Sequence, residues 1–305
     1  MRLSQATTRF TRQLAANGCS VHTQKAYARD LRVFTRWLGR DAPLSAIKPD
    51  DLARFLISDA VLSTPDGQPR KPITINRTKS ALRSFFAFCV ESGWIKENPA
   101  RLIRSSPAAA KEPSTLTEAE VKKLREVVAN STDPFAARDR LILELLLGTG
   151  IRLGSLVGLN VGDVDLQTGT LQIQAKGGAQ ERVFLNPGLC AMLGAYPRET
   201  ASEANTGPDP STSLGTFGVP LIRSKSGKRL GGRQIQLNFA RWLRQAGIIR
   251  PFSVHSCRHT FATRLYQKTG DLYLVQRALG HRQITTTEIY AKVSDEAPRR
   301  AVGTP

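Results

Sequence analysis

The sequence predicts a mainly α protein of two domains, with one small antiparallel β-hairpin in the second domain. Three observations carry this. Apolar residues recur at helical spacing through most of the chain. Strict alternation occurs only once, over 166–186. A stretch rich in proline, serine and alanine, 98–117, separates two helical regions and reads as a linker. The boundaries that follow are 1–104 for the first domain, 105–115 for the linker and 116–305 for the second.

In the first domain, "HTQKAYARDLRVFTRWL" (22–38) places Ala26, Leu31, Phe34, Trp37 and Leu38 on one helical face, with Thr23 as the expected N-cap. "KPDDLARFLISDAV" predicts a second helix, with Pro49 in its first turn. Residues 74–94 predict a third, striped by Ile75, Leu82, Phe85, Phe86 and Cys89. Arg77, Lys79 and Arg83 lie on its other face. The domain reads as a helical bundle with basic faces.

The second domain opens at Thr117, with Glu120 three residues on, the pattern of a capping box. Helices are predicted over 118–130 and 134–148, followed by a turn at "GTGIRLGSL". Two strands flank Gly177-Gly178 in the hairpin. Residues 199–219 read as a surface loop, and "GRQIQLNFARWLRQAGI" as a helix. Three short helices then cover 255–268, 271–280 and 284–292.

Charge narrows the function. The 305 residues carry 44 Lys+Arg against 25 Asp+Glu, a formal net charge of +19. Residues 1–112 hold 19 of the basic and 9 of the acidic residues, so both halves are positive. A polyanion touched by both halves fits this, and double-stranded DNA is the expected partner. The four cysteines, Cys19, Cys89, Cys190 and Cys257, form no CxxC pair, which suggests neither a zinc site nor a disulfide framework. The longest apolar run, "LILELLLGTGI", is about half a membrane span. No apolar signal region opens the chain. The expectation is a cytoplasmic protein with no membrane contact, no metal and no small-molecule cofactor. "GTGIRLG" lacks the Lys-Ser/Thr end of a phosphate-binding loop.

Four pieces carry candidate chemistry. They are Arg152 in "GTGIRLGSL", Lys176 at the hairpin tip, His255 with Arg258 one helical turn on, and "LGHRQITTTEIY" with His281 nine residues before Tyr290. Each is weak alone, since an arginine beside glycine is commonly a surface charge and a tyrosine on a short helix is commonly core. Together they make a metal-independent site for a phosphodiester. Arginines can hold non-bridging oxygens bidentately. Phosphoryl transfer needs mainly positioning and fixed positive charge. Tyr290 is the candidate nucleophile.

The set resembles the tyrosine recombinase (phage integrase) family, its Xer-like bacterial members in particular. "TQKAYARDLRVFTRWL" and "INRTKSALRSFFAFCVESGWIKENPA" are similar to the family's SAM-like core-binding domain. "GTGIRLGSLVGLNVGDVD", "HSCRHTFATRL" and "LGHRQITTTEIYAKV" are similar to its catalytic boxes. The resemblance implies a C-shaped two-domain clamp on DNA. It also implies that Arg152 and Arg258 bind the scissile phosphate, that His255 is the general base and that Lys176 is the acid for the leaving 5′-oxygen. His281 would hydrogen-bond the phosphate, and Tyr290 would form a 3′-phosphotyrosine. His259 is read as a packing residue. Strand exchange would pass through a Holliday junction, with a monomer in free solution and a homotetramer on two paired sites. The tail "AKVSDEAPRRAVGTP" would dock on a neighbouring protomer.

DNA contacts from the first domain are expected at Lys25, Arg29, Arg77, Lys79 and Arg83. Three departures stand out: Ser155 replaces a usual acidic residue, Cys257 replaces a usual leucine, and "KGGAQER" is longer than the common hairpin. A type IB topoisomerase shares this chemistry, and a DNA-binding regulator that has lost cleavage shares the DNA contacts.

Overall fold

The computed structural model describes residues 1–106, 114–174, 180–196 and 218–280, with Thr287 and Tyr290. The chain divides into two compact units, Met1–Ala110 and Lys111–Pro305.

The first unit is helical. Its helices are α1 (Leu3–Ala16), α2 (Val21–Trp37), α3 (Pro49–Leu56), α4 (Asp59–Leu62) and α5 (Pro72–Glu91). α1 was not anticipated, although Leu3, Ala6, Phe10 and Leu14 repeat at helical spacing and are all buried. Its start is tied down by Asp41, which accepts from the Ser4 amide (2.9 Å) and the Ser4 hydroxyl (2.7 Å). These bonds hold the Asp41 carboxyl below its usual range. In α2 the cap is Ser20 rather than Thr23: the Thr23 amide donates to Ser20 Oγ at 3.1 Å.

The helix expected over 48–61 breaks into α3 and α4 at Ser58, which is extended. The break has a packing reason. Leu52, Phe55 and Val61 are all buried. In one continuous helix, Val61 would point away from the face shared by Leu52 and Phe55. α5 begins with Pro72 at its first position and buries Thr78, Ala81, Leu82, Phe85, Phe86 and Cys89. Ring contacts knit the core: Phe34 to Phe55 and Phe85 to Phe86 are each 5.0 Å between centroids. Burial pushes the Cys89 thiol up to about 12, so it acts as an apolar side chain.

The second unit contains α6 (Glu118–Ala129), α7 (Ala136–Thr149), α8 (Leu153–Gly158), α9 (Pro187–Ala195), α10 (Gly232–Gln245), α11 (Val254–Thr269) and α12 (Leu272–Leu279). The capping box at Thr117 and Glu120 is present. α7 is the central helix: Leu141, Ile142, Leu143, Leu145, Leu146 and Leu147 are all buried, so its apolar character runs all round. The sheet has three antiparallel strands, β1 (Val164–Asp165), β2 (Thr170–Gln174) and β3 (Gln180–Phe184), in that order. Leu171 pairs with Val183, both buried. β1 was not foreseen, because two residues are too few to show alternation. α8 and α9 were also missed; each is short. The hairpin tip, most of the 199–219 loop, the 284–292 helix apart from Thr287 and Tyr290, and the tail after Tyr290 lie outside the described residues. Among the described residues, no helix is long and apolar enough to cross a membrane.

Candidate active site

The site is built where α7 ends, α8 begins, α11 passes and α12 ends. Gly150 closes α7 in the left-handed conformation, at φ +63°. A Cβ there would lie 2.5 Å from Phe261 Cδ1, so both backbone and space call for glycine. Arg152 follows as the extended N-cap of α8. Gly280 closes α12 in the same way, at φ +60°, and a Cβ there would overlap the Glu181 carboxylate.

Arg258 ties these ends together. It is 4% exposed and donates to the carbonyl oxygens of Gly150 (2.8 Å) and Leu279 (2.5 Å). Arg152 donates to the Gly280 carbonyl at 3.5 Å. Two guanidiniums thus converge on one stretch of backbone, and each keeps further N–H donors for an anion. Burial, then the charge of Arg152, brings Arg258 down to about 10; Tyr290 and Glu181 oppose that shift. It remains a cation at neutral pH.

Tyr290 is 1% exposed and packs with Ala262, Tyr266, Val275 and Leu279. Burial raises its pKa, while Arg258 and Arg152 pull the other way. Its hydroxyl lies 3.0 Å from His259 Nδ1. His255 and His259 stand edge to face, 4.6 Å between centroids. His255 presents part of its ring to solvent at the first turn of α11. Packing of the rest of the ring, then Arg258 and Arg152, depress its pKa. His259 is pushed down to about 4 by burial, then by His255 and Arg258. Both imidazoles are therefore neutral at pH 7. His259 had been read as a packing residue; it is the imidazole bonded to the phenol.

The structure thus brings Arg152, His255, Arg258 and Tyr290 into one site. Lys176 and His281 lie outside the described residues. Ser155 is buried, and its hydroxyl donates to the Gln174 carbonyl at 3.2 Å, pinning α8 to the end of β2. A carboxylate still reaches Arg258, from Glu181 on β3. Nothing in the pattern "KGGAQER" singled out Glu181, because only the fold sets it against Gly280. Among the described residues, no His, Cys, Asp or Glu group could hold a metal ion.

The cations expected on DNA in the first unit divide. Arg77 is engaged within the bundle: its Nε and Nη2 donate to Asp30 at 2.8 and 2.9 Å, and Asp30 is 4% exposed. A carboxylate withdrawn from water needs such a partner, so Arg77 serves the bundle. Lys79 donates to Ser106 Oγ at 2.8 Å. Arg83 reaches the Ile103 carbonyl (3.3 Å), Ser80 (3.2 Å) and Ser105 (3.3 Å). Lys79 and Arg83 thus fasten 103–106 to α5. Lys25 and Arg29 are exposed on α2.

Residues 114–297 match the phage integrase family, and residues 7–93 match the phage integrase N-terminal SAM-like domain. The chain is 31% identical over 308 residues to the tyrosine recombinase XerC of Salmonella typhi, covering 92% of this chain and 98% of that protein. Its fold is similar to XerH recombinase in a post-cleavage complex with palindromic difH substrate, with TM-score 0.70 and 24% identity over 96% of this chain and 84% of the other. It is also similar to a lambda integrase tetramer bound to a Holliday junction, with TM-score 0.67 and 23% identity over 93% and 79%.

Proposed function

The chain belongs to the phage integrase family, and on that premise we propose how its residues cut and rejoin DNA. It is a tyrosine site-specific recombinase, an enzyme that breaks and reseals duplex DNA through a phosphotyrosine intermediate. One observation carries the assignment of residues. Arg152 and Arg258 converge on the Leu279–Gly280 backbone, with Tyr290 within reach of their charge.

Arg152 and Arg258 grip the non-bridging oxygens of the scissile phosphate with fixed positive charge. His255, neutral and partly open to solvent, lies beside the same phosphate and is the histidine to which the resemblance assigns the general base. Tyr290 attacks phosphorus and leaves a 3′-phosphotyrosine. Lys176 protonates the departing 5′-oxygen, and His281 hydrogen-bonds the phosphate; these two roles rest on sequence resemblance alone. The 1–104 domain holds the duplex through exposed cations, of which Lys25 and Arg29 are supported by their exposure. Residues 105–115 link it to the catalytic domain, 116–305.

The protein works as a monomer in free solution and as a homotetramer on two paired sites, exchanging strands through a Holliday junction. The lambda integrase tetramer on such a junction supports this reading. Its test is mass measurement in solution: a monomer alone, four protomers on two sites. A tetramer without DNA would overturn it.

The residue assignment is tested on a duplex carrying the protein's own binding site, recovered by protection of genomic DNA, with a nick beside the cleavage position. The short 5′ fragment then diffuses away and the adduct persists. Wild-type protein gives a covalent band and Tyr290→Phe gives none, while both bind. An adduct from Tyr290→Phe would overturn the assignment. A protein that binds and never forms an adduct would be a regulator.

A further inference from the structure

The hydrogen bond between Tyr290 and His259 joins the proposed nucleophile to an imidazole that the phosphate-binding set does not use. The Tyr290 hydroxyl is buried, so its proton needs an acceptor inside the protein. His259 Nδ1, at 3.0 Å, is in place to be that acceptor when the ring carries its proton on Nε2. His259 lies four residues after His255 on α11, so both rings leave the helix on one side. Arg258, between them in sequence, turns inward.

We propose that His259, the imidazole in hydrogen-bond contact with the phenol, rather than His255 as the resemblance implies, takes the proton from Tyr290 during cleavage and returns it during resealing. In cleavage, a bond forms between Tyr290 Oη and phosphorus, and the bond from phosphorus to the 5′-oxygen breaks. The phenol proton passes to His259 Nδ1. The 5′-oxygen leaves and takes a proton from a separate acid, Lys176 in the reading above. In resealing, the 5′-hydroxyl attacks the phosphotyrosine, the phenolate leaves, and the His259 imidazolium restores its proton. No oxidant, metal or nucleotide enters the balance. This inference rests on Tyr290 being the nucleophile.

The charges around His259 explain why such a base stays idle without DNA. His255 and Arg258 face it from α11 and the Tyr290 hydroxyl bonds it, while Arg152 and Glu181 act on Arg258 behind them. Burial first, then His255 and the Arg258 guanidinium, disfavour an imidazolium at His259. A bound phosphodiester adds negative charge at the arginines, and the transition state adds more. That charge favours the imidazolium at the moment the phenol must lose its proton. Proton transfer is thereby tied to the presence of the scissile phosphate.

The test is single-turnover cleavage of the nicked duplex by wild type, Tyr290→Phe and His259→Gln. Glutamine can still hydrogen-bond the phenol but cannot take its proton. His259→Gln should bind a single site within about twofold of wild type and cleave about 10²–10⁴-fold more slowly, the usual weight of a general base. The acid limb of the wild-type pH–rate profile should vanish in this variant, which a merely structural role would not cause. A substrate with sulfur at the 5′-bridging position needs no acid for its leaving group. It should not restore His259→Gln, because the missing transfer is on the nucleophile's side.

Cleavage within about threefold of wild type, an unchanged pH profile, or rescue by the sulfur substrate would each overturn the proposal. If His259→Gln does not fold, nitrogen resonances of the histidines in the wild-type protein decide. Tyr290→Phe should move the Nδ1 signal of His259 and leave that of His255; no movement at His259 overturns the proposal. If wild type forms no adduct while still binding, the nucleophile assignment fails and the proposal falls with it. An adduct from wild type with an unimpaired His259→Gln removes this inference alone.

Discussion

Arg258 donates from Nη1 to the carbonyl oxygen of Gly150 at 2.8 Å, and so locks α11 onto the left-handed end of α7. Arg152 lies two residues past that glycine. The same guanidinium therefore meets the expected phosphate position and fixes the turn that aims the second arginine. Cation placement here follows from backbone hydrogen bonds as much as from side-chain packing, and the variants below separate the two.

Arg258→Lys keeps a positive charge and loses the planar fork. One carbonyl contact and the bidentate grip on phosphate are lost together. Single-turnover cleavage should fall about 10²–10³-fold, the usual loss for one preorganised donor. Binding to a single site should change far less. A near-wild-type rate would remove Arg258 from the reacting centre.

Gly150→Ala imposes a left-handed conformation on an L-residue and pushes a methyl group into Phe261. The backbone strain alone costs about 1–2 kcal/mol. A denaturant melt should show at least that loss, with cleavage reduced further because the Arg152 turn shifts. An unchanged melt would mean the turn relaxes without cost.

Arg77 and Lys25 should behave oppositely. Arg77→Ala leaves Asp30 buried without its main partner. It should destabilise by about 2–3 kcal/mol, below the range for fully buried pairs because the Arg77 side chain is 31% exposed. Lys25→Ala should leave the melt unchanged and reduce the salt dependence of DNA binding by about one unit of slope. Wild-type stability in Arg77→Ala, together with weaker DNA binding, would show that Arg77 serves DNA rather than the bundle.

Acid should weaken the DNA-free protein through its histidines. His259 falls from an ordinary 6.5 to about 4, and His255 is lowered too. Between those values the unfolded chain binds protons that the native state refuses, so stability drops as pH falls from about 6.5 toward 4. Melting temperature measured across that window should decline, and His259→Phe should decline less steeply. Equal slopes would show that His259 is not the depressed group.

The helices that carry the site were legible because their signals are local. The α6 capping box and the long apolar run of α7 are each written within one turn or two. Other features are settled by contacts that no window of sequence contains. Ser20 caps α2 in place of Thr23 because the preceding turn presents its hydroxyl there. The chain breaks at Ser58 so that Val61 can share the core with Phe55. Arg77 looks like a surface cation until Asp30, forty-seven residues earlier, is set against it. The site shows the same division. Arg152, His255, Arg258 and Tyr290 follow from spaced motifs. His259 and Glu181 acquire meaning only when Tyr290 and Gly280 are folded against them.

The central claim is that Tyr290 becomes covalently joined to DNA. The direct measurement traps wild-type protein on the nicked duplex, digests both polymers, and finds by mass spectrometry the peptide that carries a nucleotide. The account predicts a 3′-phosphonucleotide on Tyr290. The same nucleotide on Tyr266 or Tyr273, or on any other side chain, would contradict it.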